Sequence, residues 1–76
     1  MNNRRRALLQ KATQALENAA GYVNDVLEDE QDSIDNMPEN LESSERYAKM
    51  ETAIERLEDT IDHIESAKDC IEEASA

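Results

Sequence analysis

The chain has 76 residues, room for one small domain and too few to bury a large core. One Gly, one Pro, no Trp and no Phe, against abundant Ala, Glu, Leu and Ile, argue for an all-α fold. A formal net charge of −11 repels phosphate backbones and anionic lipid, so neither nucleic acid nor a membrane is an expected partner; any protein partner should present a basic surface.

Residues 4 to about 35 read as a first helix. Arg4, Arg5 and Arg6 are followed by Ala7-Leu8-Leu9, an apolar run too short for a signal peptide or a membrane helix. Leu9, Leu16 and Val23 recur every seventh residue, and so do Ala12, Ala19 and Val26. These two columns form the expected contact line with a second helix. Leu8, Ala15 and Tyr22 flank it on one side, and Ala20, Leu27 and Ile34 on the other, so the apolar stripe is wide and drifts as a 3.6-residue period requires. Gly21 interrupts the stripe without shifting its phase, which favours one continuous helix.

The segment 36–43 reads as a turn. Pro38 disfavours helical geometry at Met37 and lacks an N–H. Asn36 with Glu39 fits the cap of a single turn, and Ser43 or Ser44 fits the N-cap of the next helix.

The second helix should run from about 44 to about 74. Tyr47, Ile54, Ile61 and Lys68 form one column of its seam, and Met50, Leu57, Ile64 and Ile71 the other. Beside the seam lie a glutamate edge, Glu51, Glu58, Glu65 and Glu72, and a small column, Ala53, Thr60, Ala67 and Ala74.

Folding the two helices antiparallel about Asn40 matches Leu9 with Ile71, Leu16 with Ile64, Ala19 with Ile61, Val23 with Leu57 and Val26 with Ile54. The charges agree with this direction. Arg4–Arg6 and Lys11 would meet Glu65, Asp69, Glu72 and Glu73, and the acidic run Glu28–Asp35 would lie near Arg46 and Lys49. The sequence therefore predicts a single-domain, coiled-coil-like antiparallel hairpin over residues 1–76.

No catalytic, cofactor-binding or metal motif emerges, and no enzyme is expected. The acidic run Asp25–Asp35 lacks the central glycine of a calcium loop. His63 has Thr60 where a di-metal helix carries glutamate, and Asp59 with His63 reads as a weak pair on a solvated face. Cys70, the single cysteine, excludes an internal disulfide and fits a reduced, cytoplasmic setting; it has no neighbouring base to make it a nucleophile. Tyr22 and Tyr47 read as interface-edge aromatics.

Asp35-Asn36-Met37-Pro38-Glu39-Asn40-Leu41, then Ser44-Glu45-Arg46, Met50-Glu51 and Ala53-Ile54, resembles a group of small acidic helical proteins of Gram-positive bacteria, some encoded on phages or other mobile elements. Tyr47 stands where that group often has glycine. The resemblance covers residues 35–66; it implies a helical hairpin and supplies no catalytic residue.

Two long helices touch along one line and leave flanks uncovered. Leu8, Ala15, Tyr22, Leu27 and Ile34, with Ala53 and Ala67 of the second helix, are the expected interface of a homodimer, a four-helix bundle. The edge Glu51, Glu58, Glu65 and Glu72 reads either as a solvated edge, the default, or as a docking edge for the Lys and Arg of a basic partner. The alternative function is an acidic mimic of nucleic acid that fills a basic cleft on a DNA-binding protein.

Overall fold

The computed structural model describes residues 1–76 and is all-helical. Helix α1 spans Asn3–Asp35, a single 3₁₀ turn covers Glu39–Leu41, and helix α2 spans Glu45–Ser75. The two helices pack against each other as a rod of 59 × 15 × 12 Å.

Local chemistry sets the ends. Asn2 caps α1, its side-chain oxygen accepting the Arg5 N–H at 2.8 Å. Ser44 caps α2 in the same way, accepting the Tyr47 N–H at 3.1 Å, with Glu45 next in the first turn. Asn36 departs from its expected role. It is the C-cap of α1, its backbone N–H bonded to Asp32, while Pro38 occupies the N-cap of the 3₁₀ turn without a side-chain bond. The connection needs no residue at positive φ. Helix α1 runs unbroken through Gly21, and a Cβ there would meet nothing within 4 Å.

The seam of α2 is the one its spacing implies: Tyr47, Met50, Ile54, Leu57, Ile61, Ile64, Lys68 and Ile71 are all partly covered. On α1 one column differs. The half-covered or buried residues are Leu9, Leu16, Val23 and Glu30, joined by Arg6, Ala12, Thr13, Ala20, Leu27 and Ile34. Ala19 is exposed, and Val26 is 51% exposed. The expected partners of Ile61 and Ile54, Ala19 and Val26, are therefore replaced by their neighbours Ala20 and Leu27. The cause is apolar area. One side of the stripe offers Leu27 and Ile34, the other Val26 and Ser33, and each further buried methylene is worth roughly 0.8 kcal/mol. Helix α2 settles on the richer side.

The Arg6 side chain fixes how the columns meet. Its Nε donates to the Ser75 carbonyl at 3.0 Å, joining the first turn of α1 to the last of α2. Counting by sevens from that pair sets Thr13 opposite Lys68, Ala20 opposite Ile61, Leu27 opposite Ile54 and Ile34 opposite Tyr47. The grooves beside the seam agree, since Ile34 lines one with Tyr47 and Ile54, and Leu9 and Thr13 line another with Lys68, Ile71 and Ser75.

The charge scheme is corrected. Arg6 uses a carbonyl rather than a carboxylate, one of those that every helix C-terminus leaves unpaired. Arg4, Arg5, Lys11 and Arg46 form no ion pair, and Lys49 pairs with Glu45 inside α2. Lys68 with Glu17, at 3.5 Å, is the one ion pair that crosses between helices. Long exposed side chains gain only about 0–1 kcal/mol from such pairs, too little to hold the geometry that helix direction alone permits.

Two substitutions check this packing. Leu27→Ala should cost about 2 kcal/mol or more in chemical denaturation, because it hollows out the best-covered position. Gly21→Ala should raise stability by about 0.5–1 kcal/mol, because helix propensity improves and nothing obstructs the added methyl.

Candidate interaction surface

Helix α1 carries a second apolar line that α2 leaves mostly open. Leu8, Ala12, Ala15, Ala19, Tyr22 and Val26 follow one another at alternating steps of four and three. Leu8 is 49% exposed, Tyr22 74% and Val26 51%, while Ala15 and Ala19 are exposed and Ala12 is half-covered. At 100° per residue this line is centred roughly 100° from the covered one, close to the right angle between the two neighbours of a helix in a square four-helix bundle.

The expected interface set divides between the two lines. Leu8, Ala15 and Tyr22 stand on the open one. Leu27 and Ile34 do not: Leu27 is 7% exposed, the one residue shut away from solvent, and Ile34 is half-buried beside it in the intramolecular seam. Their placement on an open flank is corrected, for the same reason that moved the contact line of α1. Ala53 and Ala67 sit with Thr60 at the edge of the α2 seam, half-covered.

The side on which Ala53 and Ala67 lie follows from the grooves. Gln10, Thr13, Gln14 and Glu17 of α1 share one groove with Glu65, Asp69 and Glu72 of α2. Glu51 and Glu58 line the second groove with Ile34. The glutamate edge therefore faces one side of the rod. Leu8, Ala15 and Tyr22, together with Ala53, Thr60 and Ala67, project on the other. The hairpin thus has an acidic face and an apolar, small-residue face. Glu51, Glu58 and Glu72 form no ion pair, whereas Glu65 pairs with Lys68 at 3.5 Å.

Lys68 is the one ionisable group whose environment shifts it clearly. Partial burial opposes its charge, but the carboxylates of Glu65 and Glu17, through Coulomb attraction and hydrogen bonds, outweigh that effect and raise its pKa above the usual lysine value. Its side chain is mostly covered, 24% exposed, and its ammonium reaches Glu17 and Glu65 at 3.5 Å on the acidic face. A lysine at a seam position was the sequence signal for this pair; Glu17 as its partner was not foreseen, because it lies off the expected contact line.

The remaining polar candidates stay apart. Asp59 pairs with Arg56 at 3.3 Å rather than with His63. No three His, Cys, Asp or Glu side chains are grouped closely enough to share a metal ion. Cys70 is an exposed free thiol. No helix is long and apolar enough to cross a membrane.

Because the Lys68 pKa is higher folded than unfolded, its contribution is fully present below the ordinary lysine pKa of about 10.4 and is lost as pH rises through the raised value. As pH rises through that raised value, the melting temperature of the native chain should therefore fall relative to that of Lys68→Met. Parallel thermal melts of the two chains check this.

Comparison of the chain with protein families, with curated proteins and with solved structures finds no match.

Proposed function

We propose that this chain is a protein–protein interaction module whose first partner is a second copy of itself, two hairpins pairing into a four-helix bundle. The observation that carries this reading is the missing interior. Of 76 residues, Leu27 alone is shut away from solvent. A compact chain of this mass exposes about 4,700 Å²; this rod exposes 5769 Å². A compact chain of this length has a radius of gyration of about 11 Å; here it is 17.4 Å.

Ordering a residue costs roughly 1–2 kcal/mol of backbone entropy. Full burial of a Leu or Ile returns roughly 1.5–3 kcal/mol, and most of the large side chains here are only half-covered. Closing the apolar face against another surface supplies the missing burial. A net charge of −11 on each chain opposes growth beyond two.

A second reading, an acidic mimic of nucleic acid that occupies a basic cleft, draws on the opposite face. Glu51, Glu58 and Glu72 stand there exposed and without ion pairs. It requires that immobilised chain retain basic nucleic-acid-handling proteins in a salt-sensitive way, and that glutamine at these positions abolish the retention. Both readings use the protein as a binding surface, and they use different faces.

Sedimentation equilibrium at tens of micromolar, under reducing conditions that keep Cys70 out of the result, tests self-association. A dimer is expected. A stably helical monomer with a steep melt overturns the proposal. Tyr22→Glu on the open face should leave a helical but monomeric and less stable chain. Leu57→Glu in the seam should unfold the hairpin itself.

A further inference from the structure

We infer that the two copies meet through α1 packed antiparallel on α1 of its twin, with the two connecting turns at opposite ends of the bundle. This rests on the self-association proposed above and names the geometry of that interface.

The open line of α1 is self-complementary when reversed. An antiparallel pairing centred between Ala15 and Ala19 sets each of these opposite the other in the second copy. Ala12 then faces Tyr22, and Leu8 faces Val26. Small stands against small at the centre, small against large one step out, and aliphatic against aliphatic beyond. Two alanines at the crossing allow interaxial distances near the lower end of the usual range of about 8–10 Å. The same step one turn further sets Arg5 opposite Asp29. Both are exposed, and neither has an ion pair within its own chain. A two-fold axis produces each of these contacts twice.

Charge also decides between the two ways of laying one apolar face on another. With the turns together, the run Glu28, Asp29, Glu30, Asp32 and Asp35 would lie at the same end as its copy. With the turns apart, that run lies at the end carrying Arg4, Arg5, Arg6 and Lys11 of the other chain. The first arrangement concentrates like charge and the second offsets it.

Mixed-disulfide trapping tests the geometry in the full chain with Cys70→Ser throughout. One preparation carries Leu8→Cys and another Val26→Cys. Equal mixing and mild oxidation should give a covalent dimer of one chain of each kind, identified by intact mass, while neither preparation alone should cross-link efficiently. Cross-linking of the Leu8→Cys chain with itself, or no mixed dimer despite dimers in sedimentation, overturns this arrangement and leaves self-association standing. A monomer in sedimentation overturns both. Charge reversal provides the second arm. Arg5→Glu and Asp29→Arg should each weaken dimerisation about tenfold, and the doubly substituted chain should recover most of that loss. Absence of recovery overturns the proposed pairing of Arg5 with Asp29.

Discussion

Two straight helices can touch only along a line, and that limit governs this molecule. Each helix presents one strip about two columns wide to its partner, however many apolar residues it carries. In α2 the strip and the apolar residues coincide, because glutamates and small or polar residues border the seam on both sides. In α1 the apolar stripe is wider than the strip, so something must remain outside. What remains mostly open is Leu8, Ala12, Ala15, Ala19, Tyr22 and Val26. The rod shape and the near absence of buried residues follow from the line contact, and the apolar face follows from that mismatch in width.

This accounts for what could be read from the sequence and what could not. That Leu9, Leu16 and Val23 of α1 and Leu57, Ile64 and Ile71 of α2 are covered was legible because the former lie in the middle of their stripe and charged or small residues border the latter. The choice between Val26 and Leu27 was not. Both recur in phase with neighbours every seventh residue, and a one-dimensional pattern does not weigh a leucine and an isoleucine against a valine and a serine. Area decides it, and only packing exposes the area. The same step moved Leu27 and Ile34 out of the candidate interface while leaving Leu8, Ala15 and Tyr22 on the open side.

Electrostatic detail was the least legible part. Opposite charges were correctly seen to gather at the ends of an antiparallel pair, yet none of the expected clusters closed into ion pairs. Arg6 found the Ser75 carbonyl, Asp59 found Arg56, and Lys68 reached Glu17 across the seam. Spacing along a helix gives proximity. It does not give the rotamer of a long solvated side chain, whose alternatives differ by less than about 1 kcal/mol. The Lys68 pair is the exception because its stem is held in the seam, so its ammonium has few places to go.

The Arg6–Ser75 bond has a mechanical consequence. The chain ends lie side by side at one end of a long rod, and the turn lies at the other. Tension applied across those ends pulls perpendicular to the helix axes, so the load falls on the last pair of contacts and then on each pair in succession. A hairpin loaded this way unzips at low force rather than shearing as a unit, and the carbonyl held by Arg6 is the first clasp to open. Tension applied along the rod instead, between the turn and the chain ends, is carried by the hydrogen-bonded backbone of each helix and leaves the seam unloaded. The seam contacts are therefore tested only when the ends are drawn apart.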